Sequence, residues 1–268
     1  MAIVCSNKKK VFGTKEWASC TFNNILGCSH DCLYCYSKAM AVRFKRSTPD
    51  TWKDAKLTEK KYTKKKIYDG KIMYPSTHDI TPELLDASVE AIGSILYSGN
   101  SILIVSKPHL ECIQEICEVF SSHKDRIMFR FTIGSAHSDT LSFWEPGAPA
   151  YEERYAALEY AYSNGFTTSV SIEPILDNSI EQLVQQIRKS VSTSIWLGEA
   201  NFLFQRFRQN GITSERQLSK AKELLALYES GYLEYLFNIY RRDPKIYWKE
   251  SLKKRFGLAE NLKEGLDI

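Results

Sequence analysis

Six short apolar runs, each followed by a stretch with helical periodicity, restrict this chain more than any other feature of its sequence. The runs are Cys20–Leu26, Lys71–Tyr74, Ser101–Val105, Ile127–Ile133, Thr167–Ile172 and Thr193–Leu197. They are rich in Ile, Val, Phe and Thr, as strands buried on both faces should be. Between them the spacing predicts helices over Ser37–Arg46, Pro82–Tyr97, Leu110–Ser122, Tyr151–Asn164 and Ser179–Lys189. Thr81 before Pro82 reads as an N-cap followed by proline at the first helical position, and Asn164-Gly165 as a left-handed helix end. Strands alternating with helices of this length make βαβ units and a parallel sheet.

The expected fold class is therefore α/β: a partial (β/α)6 TIM-like barrel over residues 1–200. Chemistry in such folds gathers at the C-terminal ends of the strands. From Arg206 to Phe256 the pattern is helical and rich in Tyr, Phe and Lys, with no further strand expected. Residues 201–268 read as a C-terminal helical extension packed on the barrel. At 268 residues, with 43% hydrophobic and 25% charged residues, the chain can bury one large core. No apolar run approaches the roughly 20 residues of a membrane helix, and Met1–Lys10 lacks the long apolar segment of a secretion signal. A cytoplasmic location is expected.

The seven cysteines are odd in number, and three crowd into Gly27-Cys28-Ser29-His30-Asp31-Cys32-Leu33-Tyr34-Cys35-Tyr36, just after the first apolar run. In a reducing compartment such spacing points to metal or redox chemistry rather than disulfides. Three thiolates on one loop can hold a cubane cluster and leave one iron open to an exogenous ligand. They can also hold zinc, with His30 as the fourth ligand of a closed tetrahedron. Cys112 and Cys117 fall within a helix and, like Cys20, read as core residues.

Cys-x3-Cys-x2-Cys with an aromatic before the last cysteine resembles the signature of the radical S-adenosylmethionine superfamily. A narrower resemblance joins Cys28 to Tyr36 with Thr132-Ile133-Gly134-Ser135, Trp144-Glu145-Pro146-Gly147-Ala148-Pro149 and Glu153-Arg154. Together they are similar to the spore photoproduct lyase-like branch, labelled DNA repair photolyase, and Lys15-Glu16-Trp17 through Cys35 is similar to its phage-associated relatives. The resemblance implies a [4Fe-4S] cluster on Cys28, Cys32 and Cys35. It further implies S-adenosyl-L-methionine (SAM) on the fourth iron, reductive cleavage to a 5′-deoxyadenosyl radical, hydrogen abstraction from a substrate, and an external electron donor. No other cysteine matches the hydrogen donor of the lyase.

By the same resemblance, Thr77 and Asp79, with Ser76, follow the second strand where the methionine amine is bound. Thr132 and Ser135 flank the end of the fourth strand, where ribose hydroxyls find partners, and Tyr34 would touch the adenine. Glu173 closes the fifth strand and needs a partner if buried, whether cofactor, substrate or Arg130. Lys107 ends the third strand and suits an anion. His109, His123 and His137 show no ligand-like spacing.

Charge is uneven. Arg43–Lys71 carries 11 basic against 4 acidic residues, Asp79–Glu181 carries 5 against 16, and Arg241–Arg255 carries 7 against 2. The basic tracts Lys60–Tyr68 and Arg241–Arg255 are interleaved with aromatics, which suits phosphate neutralisation and base stacking. Solvated lysine faces with anchored rings explain the same pattern. Nucleic acid or a nucleotide is the expected substrate. The alternatives are a radical enzyme acting on a peptide or small metabolite, and a non-catalytic zinc-binding module that docks nucleic acid.

Overall fold

The computed structural model describes residue 11, residues 13–259 and residues 263–265; Cys5 and the Met1–Lys10 segment lie outside the described residues. The strands are β1 (Cys20–Thr21), β2 (Ile25–Leu26), β3 (Lys56–Leu57), β4 (Ile72–Tyr74), β5 (Ile102–Ser106), β6 (Ile127–Thr132), β7 (Thr167–Ile172), β8 (Ile195–Leu197) and β9 (Ile246–Trp248). The helices are α1 (Tyr36–Arg43), α2 (Leu85–Tyr97), α3 (Leu110–Val119), α4 (Ser138–Trp144), α5 (Tyr151–Ser163), α6 (Ile180–Ile187), α7 (Leu203–Gln209), α8 (Glu215–Glu229), α9 (Tyr232–Tyr240) and α10 (Glu250–Arg255).

Seven strands form one parallel sheet in the order β1-β4-β5-β6-β7-β8-β9. The order never reverses, so crossovers of one hand put the connecting helices on one face. Alternation along the strands sorts the side chains. Ile72, Tyr74, Ile102, Ile104, Phe129, Phe131, Val170 and Ile172 pack against Ile92 and Leu96 of α2, Ile113 and Ile116 of α3, Ala157 and Ala161 of α5 and Leu183 and Ile187 of α6. Met73, Leu103, Met128 and Trp196 face the other way, onto Trp17 and Ala18 of the N-terminal segment. Arg130 also lies on that inner face, its guanidinium over the rings of Trp17 and Trp196 at 4.5 and 5.2 Å. It donates to Ser169 at 3.0 Å and Ser194 at 3.3 Å, while the cation 3.7 Å from Glu173 is Lys249.

The local signals hold at several ends. Pro82 opens a 3-10 turn behind an extended Thr81, and Gly165 takes φ +80° after α5. The first apolar run is not one strand. It breaks into β1 and β2 because Asn23 and Asn24 turn their amides to other segments: Asn23 accepts from the backbone of Ser76 and Thr77, and Asn24 from the Tyr74 hydroxyl. β2 then pairs antiparallel with β3.

The C-terminal part corrects the sequence reading. It is helical in α8 to α10, but Ile246–Trp248 forms a seventh strand beside β8, so this region joins the sheet instead of only covering it. The strand is three residues long, with Ile246 and Trp248 buried and Tyr247 against Trp196, too short for a period of two to stand out among flanking helices. Among the described residues, no helix is long and apolar enough to cross a membrane.

Arg188 anchors the approach to β9 through two contacts to Asp243, at 2.5 and 2.9 Å. The Arg188 hydrogen bonds hold the Asp243 carboxyl below its ordinary value. A depressed folded-state value stabilises the fold above the unfolded carboxyl range, and the gain fades as pH falls through the folded value. Asp243→Asn is expected to cost up to about 1 kcal/mol at pH 7, because Arg188 is partly exposed. Urea melts at falling pH should show wild type and variant converging in acid.

Candidate functional site

The cysteine loop is held from two sides by its backbone. Gly27 takes φ +98°, where a Cβ would lie 2.7 Å from the Trp52 carbonyl oxygen, and Cys28 N–H donates to that same oxygen. On one flank Leu33 N–H donates to the Trp144 carbonyl and Gly147 N–H to the His30 carbonyl, at 2.9 and 3.1 Å. On the other, Asn210 at the end of α7 donates to the carbonyls of Leu33 and Cys35, and Arg206 to that of Tyr34.

The segment Trp144–Pro149 is thus a brace for the loop. Glu145 and Arg154, both fully buried, pair at 2.6 Å; Arg154 also donates to the carbonyls of Pro149 and Thr132, and the Tyr34 hydroxyl donates to Glu145. A Cβ on Gly147 would overlap the Ser29 carbonyl oxygen. Gly147→Ala must therefore push the loop aside, at about 1–3 kcal/mol. Thermal melts and iron content after reconstitution should both fall; unchanged iron retention would refute the bracing role.

Cys28 and Cys32 are buried, Cys35 is partly so, and all three thiols are free. Burial pushes each thiol up. Asp79 and Cys35 add to this at Cys28, whereas Lys107 opposes it at Cys32, and the Lys38 N–H and Lys107 oppose it at Cys35. The Cys35 sulfur accepts from the Lys38 amide at 3.3 Å and so caps the N-terminus of α1. Cys35 adds to the rise at Cys28, and both Cys35 and Cys28 add to it at Cys32. Buried thiols that are costly to ionise alone suit a cationic centre that deprotonates them on binding.

His30 is engaged at both sides of its ring. Its Nδ1 lies 3.0 Å from Asp79 Oδ2 and its Nε2 2.9 Å from His109 Nε2, so both ring nitrogens are committed. Cys28, His30 and Asp79 do bring ligating atoms within 4.8 Å of one another, and among the described residues they form the group that does so. Asp79 Oδ2 brings them together, 3.0 Å from His30 Nδ1 and accepting from the Cys28 thiol at 3.9 Å. Three thiols on one loop suit a cluster with one open iron.

Beside the thiols stands a polar knot. Asp79 accepts from Lys107 N–H at 2.6 Å and Ser106 Oγ at 2.9 Å, with Lys107 Nζ at 3.6 Å. Burial opposes ionisation of Asp79, but Lys107 and His30 outweigh it and hold the carboxyl well below its usual range. Lys107 also lies 6.0 Å over the Tyr34 ring. Burial pushes neighbouring His78 down to about 4.

Of the other expected residues, Thr77 is partly exposed, its N–H bound to Asn23. Thr132 is buried, and its carbonyl accepts from Arg154. Ser135 is fully buried and donates to Asp177 at 2.5 Å, within a loop that also holds Ser179 and His137. Tyr34 is buried with its hydroxyl on Glu145. Glu173, at the end of β7, is raised by burial; Lys249 lies 3.7 Å away and Arg206 is close enough to act on it.

Sequence reasoning missed Arg206, Asn210 and the His30–His109 contact. Arg206 and Asn210 carry no local signal, because a polar residue on a helix reads the same whether it faces solvent or a loop. His30 had one: it lies inside the cysteine motif. The Arg241–Arg255 tract is largely engaged within the fold. Lys249 and Lys253 pair with buried Glu16, Arg255 with Glu229 and Glu234, and Trp248 packs on Phe237 and Phe256.

No family model matches the chain. It is 27% identical over 184 residues to an uncharacterized protein, ORF301, of Acidianus two-tailed virus, a match covering 63% of this chain and 60% of that protein. It is 26% identical over 179 residues to the uncharacterized protein MJ0683 of Methanocaldococcus jannaschii, covering 65% of this chain and 67% of that one. Among solved structures, a tyrosine-to-phenylalanine point mutant of spore photoproduct lyase superposes with TM-score 0.52 at 17% identity, covering 92% of this chain and 80% of the lyase. A lyase double mutant with bound AdoMet and dinucleoside spore photoproduct gives 0.52 at 15%, covering 85% and 75%. SuiB of Streptococcus suis, bound to S-adenosylmethionine, gives 0.51 at 11%, covering 94% of this chain and 54% of SuiB. The chain thus shares its fold with spore photoproduct lyase and with SuiB.

Proposed function

We propose that the chain is a radical S-adenosylmethionine enzyme, with a [4Fe-4S] cluster on Cys28, Cys32 and Cys35 and SAM beside it. The observation that carries this reading is the braced loop with three unpaired thiols, two buried and one partly so, whose neighbouring histidine is already engaged. When bound, the cluster supplies the electron that cleaves SAM to a 5′-deoxyadenosyl radical, which takes hydrogen from substrate.

The chain's own groups set up that chemistry. Lys107 offsets the negative charge of the thiolates and of Asp79. Asp79, pinned by Ser106, Lys107 and His30, fixes the wall beside which the methionine ammonium would lie, its negative charge favouring that cation. Thr77 and Glu173 are partly exposed and available to the cofactor, with Arg206 a cation between Glu173 and Cys35. Tyr34 is the residue assigned to the adenine, and Thr132 and Ser135 to the ribose.

The substrate we assign is nucleic acid or a nucleotide. Spore photoproduct lyase, which shares the fold, was solved with a dinucleoside photoproduct. Lys60, Lys61, Lys64, Lys65 and Lys66 are exposed, and Lys66 lies 4.9 Å over the Tyr68 ring. Repair of thymine dimers is not part of the proposal: Cys112 and Cys117 lie in the core, and Cys20 is bound by Lys64 at 3.1 Å.

Anaerobic reconstitution with iron and sulfide tests the centre. The product should be brown, absorb broadly near roughly 400 nm and bleach with dithionite. A colourless protein with one tightly held zinc would favour the zinc-binding module instead.

A further inference from the structure

The proposed reaction consumes one electron per cleavage, so a reductant must approach the pocket. We infer that the outer face of α1 is the docking surface for a small acidic electron-carrier protein, an inference that rests on the function proposed above. The helix starts at Cys35, whose sulfur caps it. Tyr36, Met40 and Phe44 follow at intervals of four and form one stripe, exposed at 42, 41 and 56%. An apolar stripe of this length on a charged surface marks an interaction site. At 1.5 Å per residue Phe44 stands roughly 13 Å from Cys35, so the stripe leads from the thiol pocket to the surface.

Charge and composition specify the partner. Arg43 and Arg46 lie 5.6 and 5.9 Å from the Phe44 ring, and Lys45 is exposed beside them. Beyond Phe44 an open cavity of about 380 Å³ is lined by Val42 and Pro49 together with Lys45, Arg46, Ser47, Thr48 and Thr51, so its cations can meet a carboxylate beside an apolar floor. Tyr, Phe, Met and Arg are the residues enriched at protein interfaces, where Lys is depleted. The lysine-rich Lys60–Lys66 tract has the opposite character and is left to the substrate. The basic rim would steer an acidic partner and make its association sensitive to salt. In the transfer, the carrier's anionic flavin hydroquinone loses one electron to become the neutral semiquinone, and the cluster gains it; no atom moves.

The test uses reconstituted full-length protein and a flavodoxin in its hydroquinone form, following cluster bleaching by stopped flow with dithionite as the parallel reductant. Arg43→Glu/Arg46→Glu and Met40→Ser/Phe44→Ser alter exposed side chains only. Each is expected to slow bleaching by flavodoxin at least tenfold at low salt and to leave bleaching by dithionite unchanged. Equal rates with flavodoxin, or equal slowing with both reductants, would overturn the docking site. So would loss of binding to a labelled single-stranded oligonucleotide with flavodoxin rates intact, which would make the face a nucleic-acid surface. A protein that dithionite fails to bleach would remove the proposed function and this surface with it.

Discussion

Arg154→Ala is expected to be the most destabilising single substitution outside the hydrophobic core. Arg154 and Glu145 are both fully buried and paired, and removal of the cation leaves an uncompensated carboxylate in the interior. Breaking a buried pair in this way costs about 3–5 kcal/mol. In a chain of this size that lowers Tm by roughly 10 °C. The damage should spread, because Glu145 accepts from Tyr34, and Arg154 holds the Pro149 and Thr132 carbonyls. The cysteine loop would then lose its brace, so iron retention should fall along with Tm. A variant that melts like wild type would show that water or a rearranged side chain already satisfies Glu145.

The second large effect concerns the thiols. Cys28→Ala, Cys32→Ala and Cys35→Ala should each fold, since the loss of one sulfur atom leaves only a small cavity. Each should nonetheless lose nearly all bound iron, because two thiolates cannot hold the cubane that three can. Iron and sulfide analysis of the reconstituted variants, with circular dichroism to confirm the fold, reads this directly. Cys112→Ala and Cys117→Ala are the controls: both residues lie on the buried face of α3, and iron content should not change. Retention of full iron by a motif variant would remove the basis of the proposed centre.

Much of this architecture was legible because its physics is local. Ile127–Thr132 and Thr167–Ile172 are six-residue strands with β-branched and aromatic residues, and the apolar runs match both to within a residue of their ends. Gly165 and Pro82 act through their own backbone constraints, so they read equally well in isolation. The cysteine loop was legible as a motif for the same reason: the spacing of Cys28, Cys32 and Cys35 is itself the signal.

What the sequence hid depends on residues far apart in the chain. Strand β9 exists because β8 offers an open edge, which nothing in Ile246–Trp248 announces. Asn210 reaches the loop from more than 170 positions away, and Arg206 likewise. Lys249 and Lys253 read as part of a surface tract in the sequence, whereas the fold buries Glu16 between them. The Trp144–Pro149 motif was visible as a resemblance, but its work is clear only where Gly147 and Glu145 meet the loop that they hold.

The account stands on the three thiols being the seat of reductive SAM cleavage. Its most direct test is chromatography for 5′-deoxyadenosine after anaerobic incubation of the reconstituted protein with S-adenosylmethionine and dithionite. Product is expected only when both reagents are present and should disappear in Cys32→Ala. No product from an iron-loaded, dithionite-bleached protein, or undiminished product from Cys32→Ala, would contradict it.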